Sequence, residues 1–190
     1  DVVTPSYSTF QTANAGRQSV LYIGANDGML HAFNSATGDE MWSYIPRMVL
    51  PNLYYLAADN YDVNHREYVD GSPVTMDVFL GGAWKTILVG GLNAGGRGFY
   101  ALDVTDPANP LGMWEICSDS TLCAISDTDL GLSFGQPIIT KRPSDGKWVV
   151  IVTSGYNNVS PGTGKGFLYV LDAATGAVLS KVTTNVGDTA

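Results

Sequence analysis

The sequence predicts an all-β protein, a β-propeller of four-stranded antiparallel blades. The 190 residues cover about three blades of a larger propeller. Three observations carry that expectation. The acids are lopsided, 15 Asp against 3 Glu (Glu40, Glu67 and Glu115), and there are 22 glycines. Glu favours helix interiors, whereas Asp and Gly favour turns and caps. One unit recurs three times, its closing residues Asn34, Asp103 and Asp172 spaced 69 apart. A lone four-stranded sheet of such units cannot bury both faces, and radial stacking of like sheets solves that problem.

The chain reads as a single partial propeller over 1–190, with blades at about 4–45, 71–117 and 135–182 and an insertion at about 46–70. Each blade is expected to enter near a proline, which needs no ladder donor at a strand start. Gly71-Ser72-Pro73-Val74 and Gly135-Gln136-Pro137-Ile138 are that entry in copies two and three. The second strand is a nearly continuous apolar run, Leu21–Gly24, Lys85–Gly90 or Trp148–Val152, as for a strand buried on both faces. Trp84 and Trp148 occupy matching places in it. The third strand ends at Asn34, Asp103 or Asp172, before an Ala-Thr-Gly or Thr-Asp-Pro turn. The fourth carries Trp42, Trp114 or Leu179. The insertion, with Met48, Leu50 and Leu53–Leu56, predicts a short helix broken at Pro51. Propellers close with about four to eight blades, so three copies are part of a larger ring.

Net charge is −8 and the five Arg and five Lys are scattered, which argues against a nucleic-acid partner. No apolar run reaches the ~20 residues of a transmembrane segment. The tempting motifs fail on context. Gly131-Leu132-Ser133-Phe134-Gly135 fits a nucleophile elbow, but Pro137 and a strand follow it and both histidines, His31 and His65, lie upstream. Gly162-Thr163-Gly164-Lys165 lacks the first glycine and the Ser/Thr of a phosphate loop and reads as a long hairpin. Asp127-Thr128-Asp129 would need ligands where Gly131 and Ile138 stand to be a calcium loop. Asn158-Val159-Ser160 fits a glycosylation triplet of a kind common by chance. His31 stands where the other copies have Tyr100 and Tyr169, and is expected to be a structural strand residue. Neither catalytic nor cofactor-binding nor metal-ligating residues are assigned; a cation, if one binds, would be sought among Asp119, Asp127 and Asp129. Cys117 and Cys123, six apart without His or further Cys nearby, do not make a zinc site. In an exported protein they would be a disulfide pinning Ser118–Leu122; otherwise they are two thiols. The disulfide is the expectation.

Tyr22-Ile23-Gly24, Asp27-Gly28, Leu30, Ala32-Phe33-Asn34 and Thr37-Gly38, followed by Trp42, resemble the repeat of quinoprotein-dehydrogenase propellers. The blocks Tyr22–Gly38, His65–Pro73 ("HREYVDGSP"), Leu88–Pro107, Asp129–Pro137 and Leu168–Gly176 narrow this: together they resemble the propeller domain of the PilC/PilY family of type IV pilus biogenesis and adhesion proteins. That resemblance implies a non-enzymatic interaction or scaffold module, exported to the periplasm, outer-membrane surface or pilus tip of a bacterium. Its implied partners are pilus components such as minor pilins, or a host or abiotic surface. It also implies calcium in the parent protein, although no D-x-D-x-D segment occurs here. Loops carry binding disproportionately, and Tyr and Arg are typical interface anchors, so the candidate partner-binding residues are Tyr54, Tyr55, Tyr61, His65 and Arg66 of the insertion. Two alternative readings share parts of this pattern. A quinone-dependent dehydrogenase would need adjacent cysteines and a carboxylate–Asn cluster. An outer-membrane assembly scaffold shares the repeat but lacks the Val69–Pro73 block.

Overall fold

The structure, a computed structural model, describes residues 3–187. Three sheets follow one another along the chain. Blade 1 consists of β1 (Val20–Gly24), β2 (Leu30–Asn34) and β3 (Glu40–Tyr44). Blade 2 consists of β4 (Val74–Leu80), β5 (Ala83–Gly91), β6 (Gly98–Asp103), β7 (Leu111–Cys117) and the short β8 (Ile125–Ser126). Blade 3 consists of β9 (Ile138–Lys141), β10 (Trp148–Thr153), β11 (Lys165–Asp172) and β12 (Val178–Gly187). Pairing is antiparallel between neighbours, except that β8 runs parallel to β7.

The aspartate surplus has a mechanical cause. Asn34, Asp103 and Asp172 each accept, through Oδ1, the backbone N–H two residues on, from Ala36, Thr105 and Ala174 at 2.9–3.0 Å. Asp27, Asp106, Asp119, Asp127 and Asp145 do the same for Met29, Ala108, Thr121, Asp129 and Lys147. The short Asp side chain closes this local ring; Glu, one methylene longer, is not favoured there. At two of the closing turns the chain then passes through positive φ, at Gly38 (+80°) and Gly176 (+73°), where a side chain would be strained.

Blade 2 is buried on both sides, and the period-two pleat sorts its residues between them. Leu88, Tyr100 and Leu102 face blade 1, packing with Leu30, Val69 and the partly buried Tyr22 and Trp42. Ile87, Val89, Phe99 and Ala101 face blade 3, against Ile139, Val150, Tyr169 and Leu171. This is why the second strand reads as a continuous apolar run. The repeated outer-strand tryptophans tie successive blades together. Trp42 Nε1 donates to the Pro107 carbonyl (2.8 Å), and Trp114 Nε1 to the Ala173 carbonyl (3.0 Å), each in the turn after the third strand of the next blade.

Copy one departs from the expected four strands. Tyr7–Ala13 forms a helix, α1, instead of an inner strand. Ser6 caps it, its Oγ accepting from Thr9 N at 3.3 Å. The helix docks on blade 2: Tyr7 lies 4.6 Å from the Trp84 ring, and Trp84 Nε1 donates to the Pro5 carbonyl. The insertion departs in a second way. Arg47–Ala57 is a 3₁₀ helix that contains Pro51 without breaking there, because the proline ring fixes φ near the value a 3₁₀ turn uses. Among the described residues no helix is long and apolar enough to cross a membrane.

Candidate interaction surface

The insertion is bolted to blade 2 along one side. Met48, Val49, Tyr68 and Val69 are buried, and the Tyr68 hydroxyl donates to the Asn52 carbonyl at 2.9 Å. Glu115 on β7 accepts the Arg47 backbone N–H at 2.9 and 3.1 Å and also the Tyr44 hydroxyl. Burial first, then Glu115, pushes the Tyr44 phenol far up, so it stays a donor at all ordinary pH. One of only three glutamates therefore holds the start of the insertion against the outer strand of blade 2.

The other side of the insertion brings Tyr54, Tyr55, Tyr61, His65 and Arg66 together; Tyr54, His65 and Arg66 are exposed, whereas Tyr55 and Tyr61 are half-buried and Tyr61 packs against the core cluster that includes Tyr68 and Val69. Tyr54 is 65% exposed, and its ring centroid lies 4.0 Å from that of Tyr55. The Arg66 guanidinium sits 3.6 Å above the Tyr55 ring, in cation–π geometry. Tyr61 packs 5.3 Å from His65 and donates its hydroxyl to the Arg66 carbonyl at 3.2 Å. A groove runs beside this platform, lined by Asn52, His65, Arg66 and the Gly95–Arg97 loop of blade 2. The arrangement places stacked tyrosine rings, their hydroxyls and one guanidinium side by side, with Glu67 also lining the groove.

Elsewhere the polar groups serve the fold. Ser133 is fully buried; its Oγ accepts from Leu92 N (2.9 Å) and donates to the Gly96 carbonyl (3.2 Å), so it is no exposed nucleophile. The Asn158 amide donates to the carbonyls of Asp129 (2.7 Å) and Lys165 (2.9 Å) and is buried, so glycan transfer to it in the folded state would break both bonds. The aspartate trio does not converge. Asp119 is taken up by Thr121, whereas Asp127 and Asp129 both grip the Lys181 ammonium, at 2.8 and 2.7 Å. The cation between those two carboxylates is thus a side chain 52 residues away from Asp129, with no local sequence mark. Among the described residues no group of three or more His, Cys, Asp or Glu could hold a metal ion.

Cys117 and Cys123 are joined in a disulfide, both buried, with Cα atoms 5.8 Å apart. The bridge turns the chain back so that β8 can add to β7. Replacing both cysteines with serine should lower stability by about 2 kcal/mol, the loop-closure value for so short a loop. Chemical denaturation with and without reductant checks this; equal midpoints would contradict it.

His31 is a structural strand residue, but an ionic one. Its Nδ1 lies 2.7 Å from Glu40 and its Nε2 2.9 Å from Asp27. Glu40 chiefly, against the opposing effect of burial, and then Asp27 raise its pKa. A raised folded value means the stabilisation is fully present below the unfolded value of about 6.5 and fades as pH rises through the folded one. An NMR titration should place the His31 midpoint above 6.5. His31→Tyr, the residue of the other two copies, should remove that pH dependence while the blade stays folded.

The family model described as the PilY1 beta-propeller domain matches residues 2–189. A type IV pilus biogenesis factor PilY1 of Pseudomonas aeruginosa is 45% identical over 178 residues, covering 93% of this chain and 14% of that protein. A PilY1 homolog of Xylella fastidiosa is 38% identical over 187 residues, covering 96% of this chain and 12% of that protein. The crystal structure of the P. aeruginosa PilY1 C-terminal domain superposes with a TM-score of 0.74 at 41% identity, over 95% of this chain and 34% of that one. The chain thus spans about one seventh of the length of the first of these relatives.

Proposed function

The chain belongs to the PilY1 β-propeller domain family, and from that premise we propose that it is a non-enzymatic interaction module of a type IV pilus assembly and surface-adhesion protein. The relatives are named as pilus biogenesis factors. In this reading the parent protein works outside the cytoplasm, at the outer-membrane surface or pilus tip, and the module docks pilus components or an external surface. The observation that carries the reading is the convergence of Tyr54, Tyr55, Tyr61, His65 and Arg66 on one side of a buttressed insertion, with Tyr54, His65 and Arg66 exposed. Side chains already held by contacts with one another lose less freedom when a partner docks on them. The absence of catalysis is part of the same proposal. Ser133, the one motif-borne nucleophile, spends its hydroxyl on the seam between blades 2 and 3. Calcium, if the parent protein binds it, is assigned to no residue of this chain.

Removing the whole of 46–60 is a poor test, because Met48, Val49 and the Arg47–Glu115 bond support the fold. The informative variant is Tyr54→Ala with Arg66→Ala in the full-length protein. We expect piliation or surface attachment to fall about tenfold or more, as for anchor residues at an interface centre, with an unchanged melting temperature. Normal piliation and attachment by a folded double variant would refute the assignment of this face.

A further inference from the structure

Acids outnumber bases in this chain by 18 to 10, and several of the bases are neutralised inside the fold. Lys85 meets Asp103, Arg142 meets Asp145, and Lys181 meets Asp127 and Asp129. Arg66 and Arg97 form no ion pair among the described residues. One comes from the insertion and the other from the loop between β5 and β6, yet both line the same groove, about 320 Å³ in volume. Two of the five arginines of an acidic chain thus share one cleft without a carboxylate of their own.

Both guanidinium groups have donors to spare. Arg66 is carried above the Tyr55 ring at 3.6 Å, and Arg97 gives one nitrogen to the Ser160 carbonyl at 2.8 Å. A guanidinium presents five N–H donors in a fixed fork, so most remain for an acceptor from outside. A backbone amide joins them. The Gly96 carbonyl accepts from Ser133 N and Oγ, both at 3.2 Å. Across a trans peptide the next N–H points the other way, so the Arg97 N–H is turned from that seam. It has no acceptor among the described residues. The acceptor that matches such a fork is a carboxylate, which takes two parallel N–H bonds. Beside the groove Tyr54, 65% exposed, and Tyr55 offer a stacked pair of rings. Tyr and Arg together are the residues enriched where proteins meet proteins. Glu67, exposed, is the one acid lining the groove, and it works against a ligand carboxylate. The two guanidinium groups outweigh it.

Resting on the reading of this side of the insertion as an interaction surface, we propose that the groove takes an acidic segment of a protein partner. Its carboxylates bind Arg66 and Arg97, and a neighbouring aromatic side chain lies against the Tyr54–Tyr55 pair. Glu67 then tunes affinity downward, because a like charge placed opposite a ligand carboxylate costs binding.

The probe is a soluble copolymer of glutamate and tyrosine, titrated against the fluorescently labelled full-length protein. A lysine–tyrosine copolymer and alginate, an acidic polysaccharide, are the comparisons. We expect saturable binding of the glutamate copolymer alone, about tenfold or more weaker in Arg97→Glu and about threefold tighter in Glu67→Gln, with melting temperatures unchanged. Glu67 is exposed, so its variant keeps the test independent of any folding defect in Arg97→Glu. No saturable binding, a preference for alginate or for the lysine copolymer, or binding indifferent to both substitutions would overturn the proposal. Loss of piliation or attachment in the Tyr54→Ala, Arg66→Ala variant, together with no copolymer binding by wild type, would refute the acidic partner while leaving the face itself assigned.

Discussion

Gly95→Ala should be among the most damaging small substitutions in the described residues, costing about 3 kcal/mol or more and lowering the melting temperature by ten degrees or so. A Cβ there would lie 1.8 Å from the Tyr68 carbonyl oxygen and 2.4 Å from its carbon. The obstacle is backbone, not the movable end of a side chain, so neither partner can give way without shifting a blade entry. The entry strip of blade 2 passes directly over the loop between β5 and β6. Tyr68 N donates to Asn26 Oδ1 and Val69 N to the Ala25 carbonyl. Gly71 lies with its would-be Cβ 2.2 Å from the Gly91 carbonyl oxygen. Blade 3 repeats the design: a Cβ at Gly131 would meet the Tyr156 carbonyl at 2.2 Å, and Asn93 bridges to Ser133. Gly112 is the control, with nothing within 4 Å of a Cβ. Gly112→Ala should change stability by no more than about 0.5 kcal/mol. Thermal or urea unfolding of the two variants decides it, and equal midpoints would show that the entry strip yields easily.

These close approaches also explain how much of the molecule the sequence discloses. The repeat is legible because its marks are chemical necessities of one local geometry. Asn34, Asp103 and Asp172 each close an Asx turn, and Trp42 and Trp114 each reach the next blade. Residues 4–19 carry no such mark. An inner strand expected there by symmetry is instead a helix, chosen by the Ser6 cap and by the aromatic shelf at Trp84. Pro51 misleads for a similar reason, since a proline rule for α-helices does not govern a 3₁₀ segment. The proposed interaction face consists of residues legible by type and by their place in an insertion, because exposed tyrosine and arginine need no distant partner to be recognised. Glu115, which braces that insertion, is not. Its partners Tyr44 and Arg47 lie 71 and 68 residues away, and nothing local distinguishes it. Lys181 is missed on the same ground: it is one of five scattered lysines until the β11–β12 register sets it opposite Tyr169.

Lys181→Met is the second substitution with a large expected effect, and its pH dependence is its signature. The Lys181 side chain is about three-quarters buried, with its ammonium between Asp127 and Asp129 and 4.3 Å from the Phe167 ring centroid. Asp129 is almost fully buried and also accepts from the backbone N–H and the hydroxyl of Thr163, both at 2.7 Å. Burial works against its charge, but Lys181 and Thr163 outweigh it and hold the carboxyl below its ordinary range. The depressed value fixes the sign. The Asp129 contribution is present above the unfolded carboxylate value of about 3.9 and is lost as pH falls through the lower folded one. Methionine keeps the volume of the lysine stem but leaves two carboxylates facing each other without the cation. Breaking a fully buried pair costs about 3–5 kcal/mol; partial exposure here brings the expectation to about 2 kcal/mol at neutral pH. Without Lys181 the carboxyl should titrate upward, so acid should reduce the deficit: the variant recovers relative to wild type between about pH 6 and pH 4. Adding Asp129→Asn to Lys181→Met should restore part of the loss at neutral pH, because it removes the stranded charge while an amide oxygen can still accept from Thr163. A double-mutant cycle at pH 7 and pH 4.5 reads both effects. A Lys181→Met deficit independent of pH, with no recovery from Asp129→Asn, would mean that the lysine contributes through its packed stem on Phe167 and not through its charge.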